Sequence, residues 1–204
     1  MYPRIAILYE HEKLVNDNQC VGYKEHMADR HRMLFLSGAI VGDMENHNLI
    51  MALDSICHDP IKVVITSAGG DLDATFLFID TMKLIQSPVI TIGRYCASAA
   101  CLILASGKER YLFPHARTML HLATGQMGGD YKDFAIQHKL MESYQNKIVD
   151  ILTEAGVKKT RDEILKDIDR DFWLDPQETI DYGLADNVLD RETWLGWVEN
   201  KNIM

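Results

Sequence analysis

Three short apolar runs, Met33-Leu-Phe-Leu36, Lys62-Val-Val-Ile-Thr66 and Val89 to Ile92, each lead through a turn into a helical pattern. Between the first two, Asp43 to Cys57 carries apolar residues at Met44, Leu49, Ile50, Leu53 and Ile56, a spacing that gives a helix one buried face. His58-Asp-Pro60 ends it, because proline cannot continue the ladder. A second pattern runs from about Leu72 to Ile85, with Phe76, Ile79, Leu84 and Ile85 among its apolar positions, and Ser87-Pro88 breaks it. Strand and helix alternating three times is the rhythm of an α/β protein with a mostly parallel sheet. In such sheets ligands gather beyond the carboxyl ends of the strands.

Two turns leave those ends. Ser67-Ala-Gly-Gly70 follows the second strand, and Tyr95-Cys-Ala-Ser98 follows the third. Behind Ser98 comes the apolar run Ala99 to Ala105. The stretch reads as strand, turn, helix, with one hydroxyl at the turn and small residues on both sides of it. Small neighbours let a substrate backbone come close, and the first N–H groups of the helix have no intrahelical acceptor and can stabilise an oxyanion. The plainer reading makes Ser98 an N-cap and Gly69-Gly70 only a turn.

After Gly107, Glu109 to Phe113 reads as a strand, Pro114 as a turn, and Arg117 to Leu122 as another strand containing His121. Thr124-Gly-Gln-Met-Gly-Gly129 is polar and glycine-rich, suited to an edge that binds extended peptide. The longest helical pattern, Asp133 to Ala155, stops at Gly156 and would reach roughly 35 Å, long enough to protrude. Thr160-x-x-Glu163 forms a capping box, Asp169 to Leu174 is extended, and Asp175-Pro176 opens another helix that Gly183 ends. Leu184 to Leu189 reads as a last strand, followed by a tail with exposed-looking Trp194 and Trp197. At the other end, Ile5 to Leu8 reads as a short strand and Val15 to Asp29 as a polar arm or interface segment.

Composition narrows the function. With 30 acidic against 21 basic residues the net charge is −9, and the scattered Lys and Arg give no basic face for nucleic acid. The longest apolar run, Cys96 to Ala105, is about half a membrane span, and the N-terminus lacks a secretory layout. Cys20, Cys57, Cys96 and Cys101 have no C-x-x-C spacing, so free thiols in a reducing, cytosolic compartment are expected. The eight histidines show no metal-ligand spacing, and no cofactor is implied.

A serine hydroxyl needs a base to take its proton, and the base needs a third group to orient it. Ser98, His121 and one carboxylate can form that relay. Asp171 is favoured, since it lies in a non-helical segment beside aromatic residues; Asp169 competes, and periodicity does not choose between them.

Thr66-Ser-Ala-Gly-Gly70, Thr81-Met82, Ala97-Ser98, Met119-Leu-His121, Gly129-x-x-x-Asp133, Arg170-Asp171 and Tyr182-Gly-Leu-x-Asp186 stand in one order from Arg32 to Leu189. Together they resemble the proteolytic subunit of the Clp protease. The resemblance implies a crotonase-like α/β superhelix with a protruding handle. It divides the chain into an arm (1–30), a peptidase domain (31–190, handle about 124–156) and a tail (191–204). It further implies a serine endopeptidase with Ser98 as nucleophile, His121 as base and acid, Asp171 orienting His121, and Gly70 and Ala99 N–H groups as oxyanion donors. Thr124, Gly125, Gln126 and Met127 would carry extended substrate, and Asp169 and Arg170 would pair between rings. The implied assembly is two stacked heptameric rings, a tetradecamer fed with unfolded polypeptide by an AAA+ unfoldase, in bacterial cytoplasm, plastid stroma or a phage-infected cell.

Departures from the pattern give the alternatives. Ala68 replaces the family's proline, Leu122-Ala123 its Gln-Pro, and Arg94-Tyr95 stand near its usual glycine, where their bulk would narrow the site. A catalytically silent ring subunit paired with an active paralogue is the alternative reading. A crotonase-type acyl-CoA enzyme would use a carboxylate instead of a Ser-His pair, and a phage-head maturation protease would cut capsid protein.

Overall fold

A computed structural model describes residues 23–42 and 45–199. The strand expected over Ile5 to Leu8, Cys20, Met44 and the end of the tail lie outside them. The described chain runs α1 (Tyr23–His31), β1 (Met33–Ser37), α2 (Glu45–Ile56), β2 (Ile61–Ser67), α3 (Leu72–Leu84), β3 (Val89–Ala97) and α4 (Ala99–Ala105). It continues through β4 (Glu109–Leu120), α5 (Tyr131–Glu154), α6 (Arg161–Asp167), β5 (Phe172–Leu174), α7 (Pro176–Tyr182), β6 (Asn187–Val188) and α8 (Arg191–Val198).

The alternation makes one sheet. Strands β1 to β4 are parallel and in chain order; β5 joins the far edge of β4 antiparallel, and β6 joins the same edge in parallel. The α/β expectation holds. One face packs on α2 to α7 through residues such as Val63, Ile65 and Leu102. The other, with Met33, Val64, Ile90 and Ile92, is covered by Met27 of α1 and by Trp194, Trp197 and Val198 of α8. The tail tryptophans are therefore half-buried parts of a second core. A short helix with apolar residues on one side covers a sheet face this way. The last part of the supposed arm is likewise helix α1, with Met27 and Ala28 buried.

Helix α4 is apolar all round and lies in the middle, every residue from Ala99 to Ala105 at 2% exposure or less. The thiol of Cys101 in α4 and that of Cys96 at the end of β3 are inert: burial pushes Cys101 up to about 12 and Cys96 well above the usual thiol range.

The two strands expected around Pro114 are one. Pairing of β3 with β4 jumps from Gly93–Leu112 to Tyr95–Arg117, so Phe113 to Ala116 bulge outward without ending β4. Proline lacks a ladder donor and is tolerated at such a bulge. The capping box at Thr160 forms as the sequence predicts, and Asp175 opens α7 with a second one beside the expected Pro176 at N1. Arg110 then ties three chain segments together. It donates to the carbonyls of Ala155 (2.7 Å) and Gly183 (2.8 Å) and to both carboxylate oxygens of Asp186. Burial alone would raise the Asp186 carboxyl, but hydrogen bonds and charge from Arg110 hold it below the usual range.

Candidate active site

Ser98 joins β3 to α4 with φ 56° and ψ −128°; Arg32 is the only other non-glycine residue with positive φ among those described. Ser98 stands at the N-cap position of α4 as the plainer reading has it, but its side chain makes no cap hydrogen bond, so capping does not engage the hydroxyl. The backbone is held instead by its neighbours: Ser98 N–H donates to Met119 C=O (2.7 Å), and Cys101 N–H donates to Ser98 C=O (2.9 Å). A residue kept at such angles costs about 1–3 kcal/mol, and tight local packing is what sustains it. The result is a sharp strand-to-helix elbow with a half-buried hydroxyl at its tip.

The paired glycines complete the elbow, each for its own reason. At Gly69 (φ +94°) a Cβ would sit 2.7 Å from Ala97 O, 2.8 Å from Ser98 Cβ and 2.9 Å from Ala99 N. Only a hydrogen leaves the Ser98 turn its room. Gly70 bridges to Ile40, and a Cβ there would lie 2.2 Å from the Ile40 carbonyl oxygen. That bridge uses the Gly69 carbonyl and the Asp71 N–H, so the Gly70 N–H makes no backbone bond. Ala99 is the first residue of α4 and its N–H has no intrahelical acceptor. Both face the same pocket as Ser98, together with Leu72, Leu102, Leu120 to Thr124 and Ile148. The pocket is partly open and holds about 40 Å³, room for a few waters.

His121 lies one residue beyond β4. Its Nδ1 is 2.5 Å from the Leu122 carbonyl oxygen. A carbonyl can only accept, so Nδ1 carries a proton, and in the neutral ring the lone pair is then on Nε2, the tautomer a base toward Ser98 requires. β4 and β5 pair Thr118–Leu174, Met119–Trp173 and Leu120–Phe172, so His121 and Asp171 are the residues that directly adjoin the paired ends of the two strands. Asp169 instead binds the adjacent Arg170 guanidinium, 3.3 Å away, and both are well exposed. No hydrogen bond joins Ser98 to His121 or His121 to Asp171 among the described residues. Ser98 and His121 share one pocket, Asp171 is outside its lining, and the relay between the three is open.

Thr124 reaches the pocket, and Thr124 to Met127 runs exposed and outside any strand. Gln145 of α5 accepts the Ala123 N–H (2.8 Å), and Gln137 exchanges two hydrogen bonds with Gly128 (3.0 and 2.7 Å). Arg94 and Tyr95 do not narrow the pocket. Arg94 stacks over Phe113 at 5.1 Å and Tyr95 on Trp173 at 6.2 Å, away from the pocket lining.

The handle candidate starts two residues earlier than expected. Asp130 caps α5 with a reciprocal bond from Asp133, and the helix extends for 24 residues, about 36 Å. Only Ile148, Val149 and Leu152 near its end are buried, whereas Phe134 (46%), Ile136 (65%) and Leu140 (49%) leave apolar surface in solvent. Among the described residues no helix is long and apolar enough to cross a membrane, and no cluster of His, Cys, Asp or Glu suits a metal.

Sequence reasoning missed Gly69 as a contact of the elbow and Gln145 as the anchor of the segment after His121. The double glycine was the only signal for the first; nothing local marks the second.

Comparison with known proteins places this geometry in context. A family model described as Clp protease matches residues 17–192. ATP-dependent Clp protease proteolytic subunit 1 of Rhodopirellula baltica is 37% identical over 132 residues, 63% of this chain and 58% of that protein. Proteolytic subunit 2 of Bifidobacterium longum is 33% identical over 171 residues, 81% of this chain and 82% of that protein. The chloroplastic subunit 4 of Arabidopsis thaliana is 35% identical over 173 residues, 80% of this chain and 58% of that protein.

Proposed function

This chain belongs to the Clp protease family as a Clp-type proteolytic subunit, and on that premise we propose that it hydrolyses peptide bonds of unfolded polypeptides through an acyl-enzyme on Ser98. The carrying observation is the elbow. A strained serine without a cap bond shares one pocket with two unengaged N–H groups, at Gly70 and Ala99, and with an imidazole in the Nδ1–H form.

The steps follow from those atoms. The Ser98 hydroxyl attacks the scissile carbonyl and passes its proton to His121 Nε2. The carbonyl oxygen becomes an oxyanion between the Gly70 and Ala99 N–H groups, where one donor is worth about 10²–10³ in rate. The imidazolium then protonates the departing amine, and water repeats the sequence to free the acid and Ser98. Asp171, immediately before the strand paired with β4, steadies the imidazolium. Thr124 to Met127 offers backbone polar groups to an extended substrate.

The family works as an assembly with Clp ATPases. Exposed apolar residues on the first half of α5 favour its use as a handle between two stacked heptameric rings, with Asp169 and Arg170 exchanging their local pair for one across the rings. On this reading residues 31–190 are the peptidase domain, with a handle at about 124–156, and the compartment is cytoplasm or plastid stroma. Removing 131–147 should dissociate the particle; unchanged mass by light scattering would defeat the handle assignment.

The test of the chemistry is a fluorophosphonate probe with intact-mass readout, alongside Ser98→Ala. One adduct, lost in the variant, supports an activated Ser98. The open relay favours one second reading, a silent ring subunit. An assembled particle that takes no label while a co-assembled paralogue does would establish that instead.

A further inference from the structure

The Leu122–Ala123 peptide is held from both ends. Its carbonyl accepts His121 Nδ1–H, and its N–H donates to Gln145 Oε1. Whatever fixes that peptide plane fixes the direction of the imidazole. Nearby, Gln137 shows what a primary amide can do for a backbone: its Oε1 accepts the Gly128 N–H and its Nε2 donates to the Gly128 carbonyl. Gln145, two turns along the same helix face, uses only half of that capacity. Its Nε2 is buried and has no partner. Between the glutamines, a Cβ on Gly125 would lie 3.3 Å from Met141 Sδ, so the segment lies along the helix.

A buried donor left unpaired disfavours the conformer that contains it. A turnover of the Leu122–Ala123 peptide would satisfy it by presenting the Leu122 carbonyl to Nε2 in place of the Ala123 N–H on Oε1. The same turnover takes that carbonyl away from His121 Nδ1, whose N–H is then free for a carboxylate, the role proposed above for Asp171. Resting on the assignment of Ser98, His121 and Asp171 above, we propose that Gln145 is a positioning residue, a two-way catch on the Leu122–Ala123 peptide. In one setting Oε1 holds the N–H and the relay is open; in the other Nε2 holds the carbonyl and the relay is closed.

Gln145→Glu keeps the acceptor and deletes the donor, so it traps the open setting. In the assembled full chain, labelling of Ser98 by a fluorophosphonate should fall at least tenfold. Asp171→Asn should slow labelling strongly in the wild-type background and hardly further in Gln145→Glu, because the trapped relay no longer uses Asp171. A merely structural role would leave the Asp171→Asn penalty equal in both backgrounds, and that equality overturns the catch. Gln145→Leu removes both holds and should label at an intermediate rate; a rate at or below that of Gln145→Glu also overturns it. Proton NMR gives a reading independent of turnover. The far-downfield Nδ1–H signal of a carboxylate-bound imidazole should be present in wild type and absent in Gln145→Glu. Its absence from wild type, or survival in the variant, refutes the proposal. Failure of the wild-type particle to label at all would instead refute the role of Ser98, leaving the NMR comparison to judge the catch.

Discussion

Replacing Gly69 by alanine tests the elbow without touching a reacting group. The added methyl would meet Ala97 O at 2.7 Å, Ser98 Cβ at 2.8 Å and Ala99 N at 2.9 Å, whereas ordinary contacts begin near 3.4 Å. Two of these atoms are backbone and cannot swing aside, so the two turns must separate by about half an ångström. The φ of +94° adds a conformational penalty of about 1–2 kcal/mol for any L side chain. Overpacking against a rigid backbone adds about 1–3 kcal/mol. A total near 2–5 kcal/mol should lower Tm by roughly 5–20 °C for a chain of this size. The displaced atoms include the proposed oxyanion donor at Ala99, so labelling of Ser98 should fall by about the value of one donor, 10²–10³. Gly42→Ala is the control, since nothing lies within 4 Å of a Cβ there. Differential scanning calorimetry and fluorophosphonate labelling rates read the two effects. A variant with unchanged Tm and wild-type labelling would refute the close-approach argument.

Three further outcomes follow from particular contacts. Ser98→Gly should melt higher than Ser98→Ala by about 1 kcal/mol, because only glycine relaxes at φ 56° while both variants lack the hydroxyl; equal stability would mean that the elbow stores no strain. Arg110→Met strands the Ala155 and Gly183 carbonyls and the Asp186 carboxylate, and should cost about 2–3 kcal/mol in urea unfolding; a change under 0.5 would deny the clamp. Burial would raise the Asp54 carboxyl, but bonds from the Ser87 hydroxyl and amide and from His58 hold it down to about 2. A depressed folded pKa gives stability that is full above the unfolded value near 4 and is lost as pH falls through about 2. Asp54→Asn should flatten that part of the stability-against-pH curve, and an unaltered curve would show that the bonds do not act on folding.

What was legible in the chain was what local chemistry controls. The alternation of Met33-Leu-Phe-Leu36, Lys62 to Thr66 and Val89 to Ile92 with amphipathic segments sets the parallel strands, since each segment can bury its apolar residues in only one way. Caps such as Thr160 and Asp175 act within four residues, so their boundaries fell where the sequence put them. Ser98 stood out because a hydroxyl among small residues between a strand and an apolar helix has few uses. The tryptophans of α8 were misjudged because burial there depends on a sheet face built from residues far away, among them Met33 and Ile90. Pro114 read as a turn because a broken ladder and a bulged one look alike until the partner strand is in place. Periodicity could not choose between Asp171 and Asp169, because where either lies relative to His121 depends on the antiparallel pairing of β5 with β4, more than 50 residues apart. Gln145 was invisible for a related reason. Its partners are a peptide plane 22 positions away and, through that plane, the imidazole, and a contact to backbone leaves no mark on the residue contacted. Side-chain types thus announce which groups can react, and backbone placement by distant glutamines, glycines and strand registers decides whether they are set to do so.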